Sequence, residues 1–265
     1  MECGNLFPLT ESDNKSSQSE CSSTCSWTTI LEMNTNGKSM VVVIDGPAAS
    51  GKSTTARKVA EKLGWFYLDT GAMYRAVTVK VLQERIPLDD SKAIARAAEK
   101  MRIKLLPGRE GLKIDVDNED VTLEIRTPEV DRAVGPVCEV AKVREIMVRK
   151  QQEIGASGHV IAEGRDMGTV VFPNADLKFY MIASVEERAK RRKKDLEKQG
   201  MEISFEEIKS EIQRRDERDS NRSNSPLMQA EDAVQIDTTN MKVDDQVNRI
   251  VDRIMRKQAL LEKNG

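Results

Sequence analysis

Histidine is almost absent from this chain: His159 is the only one in 265 residues. A Ser-His-Asp or Cys-His centre would have to be built on that one imidazole, which directly precedes an apolar run and reads as structural. Aromatic residues make up 4% of the chain, too few for the stacking surfaces that hold single-stranded RNA. Lysine and arginine (42) nearly balance aspartate and glutamate (44), leaving a net charge of -2. That balance argues against coating nucleic acid through bulk charge. No apolar run approaches the roughly 20 residues of a membrane span. Cysteine is scarce as well. Cys3, Cys21 and Cys25 lie in the first 25 residues and Cys138 stands alone, so no disulfide framework is expected and a reducing compartment, the cytoplasm, is. Cys21 and Cys25 supply half of a zinc site and lack the other half.

What is present falls into two parts. Residues 1–39 are rich in serine and asparagine without apolar periodicity, which predicts a disordered extension. Its acids Glu2, Glu11, Asp13, Glu20 and Glu32 outnumber Lys15 and Lys38, unlike an organelle transit peptide.

From Met40 onward strands alternate with helices. Met40–Asp45 is apolar up to its last residue and stops at Gly-Pro, the pattern of a parallel strand buried on both faces. Ala56, Val59, Ala60 and Leu63 then form a helical stripe that Gly64 ends. Further strands are expected at Trp65–Leu68, His159–Ala162, Leu177–Ile182 and Ala233–Ile236. Val243, Val247, Ile250, Val251 and Ile254 share one face of a last helix. Ser184 with Glu187 and Ser204 with Glu207 match the capping box. The alternation predicts an α/β fold, a parallel five-stranded core sheet flanked by helices. Residues 88–148 break the rhythm with a helix, Ser91–Met101, and strands Arg102–Leu106 and Leu112–Val116 around Pro-Gly-Arg-Glu-Gly. They read as an inserted α+β unit in a core of 40–87 and 149–265.

The loop after the first strand carries chemistry. Gly46-Pro47-Ala48-Ala49-Ser50-Gly51-Lys52-Ser53 fits G-x-x-x-x-G-K-S, and Thr54 opens the next helix. Strand, glycine-rich turn and helix together let backbone N–H groups converge on phosphate oxygens at the positive end of the helix. Lys52 would reach the β- and γ-phosphates of ATP, and the Ser53 hydroxyl would ligate Mg²⁺. This P-loop specifies a nucleotide and no more.

Downstream, arginines cluster in short polar motifs: Asp69-Thr-Gly-Ala-Met-Tyr74-Arg75, Val143-Arg144, Gly164-Arg165-Asp166-Met-Gly-Thr, and Arg214-Arg215-Asp-Glu-Arg218-Asp219-Ser-Asn-Arg222. Several follow core strands, where open α/β sheets bind ligands. Transfer between two phosphate-bearing molecules accounts for such a density, because guanidinium forks hold phosphate oxygens bidentately and stay charged. A phosphate acceptor is already an anionic nucleophile and needs no histidine base.

On these residues the chain resembles the bacterial-type cytidylate kinases, within the nucleoside monophosphate kinase group, over essentially all of 40–257. The resemblance implies a monomer that uses ATP and Mg²⁺ to phosphorylate CMP and dCMP, with no nucleic-acid or membrane partner. It implies that Arg75, Arg165 and Arg222 clamp the acceptor phosphate, with Thr70 and Tyr74 lining its site. Arg144 and Asp166 would face the cytosine edge, and Arg215 and Asp219 would hold the sugar. Arg218, with Arg188 and Arg192, would lie toward the triphosphate, so that Lys52, Arg165, Arg218 and Arg222 surround the transferred group. A helical lid at about 205–226 would close over both nucleotides. Gly135 departs from the family pattern, where some relatives place a base-contacting serine.

Bland readings compete with these. Arg188–Lys194 is also what a solvated helix face looks like, and so is the stripe Arg215, Arg218, Arg222. The rival functions are another small-molecule kinase of this fold, a nucleotide-hydrolysing switch or an RNA-binding protein. A switch calls for a separate acidic strand end, not singled out here, and one reading guanine for Asn-Lys-x-Asp, which is absent.

Overall fold

The computed structural model describes residues 39–108, 111–198, 200–222 and 224–263. The extension 1–38 with Cys3, Cys21 and Cys25 lies outside the described residues, as do Arg109 and Glu110 of the expected turn.

Five parallel strands form the main sheet: β1 (Val41–Asp45), β2 (Phe66–Asp69), β6 (Val160–Gly164), β7 (Leu177–Ile182) and β8 (Val234–Asp237), in the order β2-β6-β1-β7-β8. This is the expected α/β core. β1 sits in the middle and alternates between two cores. Val42 and Ile44 pack with Ala56, Val59 and Ala60 of α1 (Lys52–Leu63) and with Ile250 and Ile254 of α8 (Val243–Lys263). Val43 faces the other way, toward Ala76 and Val77 of α2 (Thr70–Gln83) and Ile146 of α5 (Ala141–Gly155). A strand apolar at successive positions is what two covered faces require.

Strands β1, β2, β6 and β8 each begin one residue later than the sequence pattern indicates. At β2 the Trp65 N–H is taken by the Ala60 carbonyl at 2.9 Å, closing α1 instead of opening the strand. Trp65 and His159 stack on each other at 4.6 Å between ring centroids, and the His159 Nδ1 accepts from the Met40 N–H at 3.2 Å. The lone histidine is thus structural, as its position predicts.

The insertion contains α3 (Ser91–Lys100), the hairpin β3 (Ile103–Gly108) and β4 (Gly111–Val116), a short β5 (Glu119–Asp120), a 3₁₀ turn at Glu124–Arg126, and α4 (Pro128–Glu139). Ile103, Leu105, Ile114 and Val116 join the same apolar core as α2 and α5. Residue 149 falls inside α5, which runs from the insertion into the sheet layer.

Beyond β7, α6 (Val185–Lys198) and α7 (Phe205–Asn221) pack together on a separate small core of Ala189, Leu196, Ile208 and Ile212. Ser204 and Glu207 form the full capping box. At Ser184 only half of it forms: its hydroxyl accepts from the Glu187 N–H at 3.2 Å, but its own N–H goes to Thr239 and the Glu187 carboxylate to Arg191.

Candidate active site

The loop Gly46–Ser53 lies at the C-terminal end of the central strand, and its backbone is unusual by necessity. Gly46 (φ +152°) is pressed against β7: a Cβ there would stand 2.1 Å from the Met181 carbonyl oxygen. Ala49 (φ 58°) and Gly51 (φ 94°) both occupy the left-handed region. For alanine that conformation costs about 1–2 kcal/mol, and it curls the loop tightly enough for the Ser50 N–H to reach the Pro47 carbonyl at 3.4 Å. Its carbonyl groups are held by defined donors. Pro47 accepts from Ser50 N–H and from the Lys52 ammonium, Ala48 from Arg188, and Ser50 from Arg191 and Thr238. Lys52 is buried, 6% exposed. Burial, then the positive charge of Arg165, pushes its ammonium below the ordinary lysine range.

Three carboxylates end adjacent strands beside this loop; the sequence places Asp69 in a motif but gives none of the three a role. Asp69 and Glu163 are register partners at the ends of β2 and β6, and Asp45 ends β1 opposite Gly164. Glu163 lies 3.8 Å from the Lys52 ammonium and accepts from the Tyr67 hydroxyl at 2.8 Å and from Ser53. Burial, then the neighbouring Asp69, raises its carboxyl above the usual range. Asp69 caps α2 through the Ala72 N–H and pairs with Arg126 of the insertion at 3.0 Å. Asp45 accepts from Met167 and Gly168 N–H, and burial lifts it to about 6. An acidic strand end is therefore present, at Glu163. A single carboxylate closing an apolar strand signals it weakly; only the sheet order sets it beside Lys52.

The motif arginines converge on a cavity of about 430 Å³ between α2, α4, α7 and the end of β6. Thr70, Tyr74, Arg75, Arg144, Arg165, Asp166, Arg215, Arg218, Asp219 and Arg222 all line it. The Thr70 hydroxyl donates to the Glu163 carbonyl at 2.6 Å. Arg144 pairs with Asp166 in a buried contact (side chains 7% and 5% exposed) and lies over the Tyr74 ring, Cζ 5.5 Å from its centroid. Arg222 closes on the same carboxylate at 3.9 Å. Arg165 donates to Asp219 at 2.8 Å, and Arg75 to Asp131 at 2.5 Å. Arg215 sits among these groups without a hydrogen bond or ion pair among the described residues. Burial, then Arg165, pushes it down to about 10. The cavity is an anion site by composition.

Several placements differ from the sequence reading. α7 ends at Asn221, and Arg222 is extended (φ -64°, ψ 140°), so the stripe Arg215, Arg218, Arg222 is not one helical face. Arg218, expected toward the triphosphate, lies over α4 instead: a Cβ at Gly135 would stand 3.0 Å from its Nη1. The missing side chain at Gly135 makes room for that guanidinium. Arg188 is held by Ala48, Ala183 and Asp216, and Arg192 by Asp131. Neither is a free solvated cation. Arg191, not singled out in the sequence, braces the loop through Ser50 and Thr238. Cys138 is half-buried on the cavity wall, and burial pushes its thiol up to about 11.

Comparison with known proteins agrees with this geometry. The family model for cytidylate kinase matches residues 42–256. The cytidylate kinase of Carboxydothermus hydrogenoformans is 48% identical over 222 residues, covering 84% of this chain and 100% of that protein. That of Desulforamulus reducens is 50% identical over 210 residues (79% and 94%), and that of Bacillus subtilis 45% over 220 (83% and 98%). With the family model matching residues 42–256 and these relatives 45–50% identical over nearly their full length, the chain belongs to the cytidylate kinase family.

Proposed function

We propose that this enzyme transfers the γ-phosphoryl group of ATP to CMP and dCMP. The observation that carries the choice of base is the Asp166 environment. Its carboxylate lies between two arginines that each keep a buried N–H without a partner, Arg144 Nε and Arg222 Nη2. A carboxylate offers about four lone-pair sites, so two guanidinium contacts leave room for one more donor. Cytosine offers that donor at its 4-amino group, where uracil presents a carbonyl. The cytosine N3 and O2 acceptors suit the neighbouring guanidinium donors.

The remaining roles follow the chemistry of each wall. Arg75, Arg165, Arg215 and Arg222 meet the acceptor phosphate and sugar, with Asp219 accepting from a ribose hydroxyl and Thr70 and Tyr74 shaping the floor. Lys52 and the loop N–H groups Gly46–Thr54 hold the triphosphate. Arg218 is assigned here to the acceptor side, on the strength of its seat over Gly135. Holding both phosphates in line is the larger part of catalysis for this reaction, since the acceptor needs no deprotonation. The residues also suit Mg²⁺, a hard cation that takes few protein oxygens and the substrate phosphates. Ser53 and the like-charged neighbours Asp69 and Glu163 are such oxygens, and a divalent cation would relieve the repulsion that raises Glu163. When bound it would neutralise charge on the phosphates. The segment 205–226 serves as a lid excluding water from the γ-phosphate, and the insertion 88–148 as the monophosphate-binding unit. We place the enzyme in the cytoplasm as a monomer.

A coupled assay with CMP, dCMP and UMP tests this reading. CMP should be preferred over UMP by about ten- to hundred-fold, the worth of one base-reading contact. Asp166→Asn should lower CMP efficiency and narrow that ratio. Equal loss with both bases would assign base choice elsewhere.

A further inference from the structure

Arg75 has one arm of its fork held by a carboxylate from the insertion and the other by a backbone carbonyl. Its Nη2 stands 2.5 Å from Asp131 Oδ1, and its Nη1 donates to the Ile125 carbonyl at 3.1 Å. The other Asp131 oxygen, Oδ2, accepts from Arg192 Nη2 at 3.2 Å. One carboxylate on α4 thus joins α2 of the core to α6 of the helical pair, and it lies on the wall of the anion cavity. Burial works against its charge, yet Arg75, Arg192 and Arg215 hold its carboxyl below the usual range. Its side chain is 24% exposed, so water lies within reach of a turned carboxylate.

We propose that Asp131 stands in for the acceptor's phosphate, occupying the space between Arg75, Arg192 and Arg215 until a phosphate monoester displaces it. The inference rests on the acceptor assignment above and goes further, to how the empty site is kept and emptied. Without an anion these guanidinium groups repel one another and Arg75 loses its orientation. A carboxylate supplies one charge and two oxygens. A phosphate monoester brings about -1.5 to -2 charges and three oxygens near neutral pH, and guanidinium forks match it bidentately. The exchange favours the phosphate ester over a nucleoside or a carboxylic acid, neither of which outbids the resident group. It also breaks the α4-to-α6 tie through Arg192, releasing the insertion as the acceptor enters.

The test is Asp131→Asn, which keeps the shape and removes the charge. Two quantities are read: the Kd of inorganic phosphate, by isothermal titration of the full chain, and the KM for CMP. Removing a competing ion pair worth about 1 kcal/mol should tighten both by about three- to tenfold. Asp131→Glu should restore the weaker wild-type values. Asp131→Ser provides the same comparison if the amide variant folds poorly. Unchanged or weaker phosphate binding in the neutral variants overturns the proposal and makes Asp131 a fixed support for Arg75. Inorganic phosphate carries no base, so this arm stands apart from the acceptor assignment. A wild-type enzyme that ignores CMP would overturn that assignment instead.

Discussion

Arg188 of α6 grips Asp216 of α7 with both arms of its guanidinium, Nη1 to Oδ1 at 2.9 Å and Nη2 to Oδ2 at 2.6 Å, while Nη1 also donates to the Ala48 carbonyl at 3.3 Å. One side chain therefore connects α7 to the glycine-rich loop at Ala48. A charge run that resembles a solvated helix face contains the link between the loop after β1 and α7.

Asp216→Ala should destabilise the protein. The pair is largely buried, with side chains 5% and 25% exposed, and removing the carboxylate strands Arg188 among backbone carbonyls. Stranding a buried charge costs about 3–5 kcal/mol, and partial exposure of Asp216 places this case near the lower figure. Urea unfolding measures it. The apparent KM for ATP should rise as well, because α7 loses its tie to the loop. A variant with wild-type stability and wild-type ATP kinetics would reduce the pair to decoration.

Lys52→Ala should abolish most turnover while the fold persists, since a preorganised charge at the transferring group is worth roughly 3–4 kcal/mol. Retention of more than about a tenth of wild-type turnover would contradict that role. The lysine also has a pH signature. Its pKa is depressed by burial and Arg165, so in the free enzyme it sheds its proton below the usual lysine pKa of about 10.4. Triphosphate affinity should fall as pH rises through that depressed value, and Lys52→Arg should lack this alkaline limb. Fluorescence titration with an ATP analogue between pH 7 and 10 reads the difference.

Asp45 gives a second pH effect, on stability. Its pKa is raised in the folded state from 3.8 to about 6, so the folded protein binds this proton more tightly than the unfolded chain. Its contribution is fully present below the unfolded value and is lost as pH rises through about 6. Asparagine cannot ionise, and it offers one oxygen to the two N–H groups of Met167 and Gly168. Asp45→Asn should therefore be clearly destabilising at pH 4.5 and less so at pH 7.5, by a difference of up to about 2 kcal/mol. Urea midpoints at the two pH values check it. An equal deficit at both would mean that Asp45 stays ionised when buried.

Much of the fold was legible because its signals are local. β1, the glycine loop and α1 are contiguous, and each has its own marker: the apolar run, Gly46 and Gly51, and the stripe ending at Gly64. The Ser204–Glu207 box is likewise read from four consecutive residues. The start of β2 slipped past Trp65 because its N–H closes α1 on the Ala60 carbonyl, and the stacking of Trp65 on His159 joins residues far apart in sequence, a contact no local pattern announces. The half-formed box at Ser184 has the same origin, since Thr239 and Arg191 take the two groups that would have closed it.

The sequence by itself determined the α/β order of elements, the glycine-rich loop and the set of arginines that come to line one cavity. Only the tertiary structure decided how those charges pair. Glu163 meets Lys52, Asp131 meets Arg75 and Asp216 meets Arg188 from positions distant along the chain. Each meeting depends on the strand order β2-β6-β1-β7-β8 and on where α4, α6 and α7 dock. A side chain's type is written at its own position, but its protonation, orientation and partner depend on the charges and the loss of water around it. Those are properties of the packed molecule, because electrostatic energy depends on distance in space and on local dielectric, and neither is encoded in spacing along the chain.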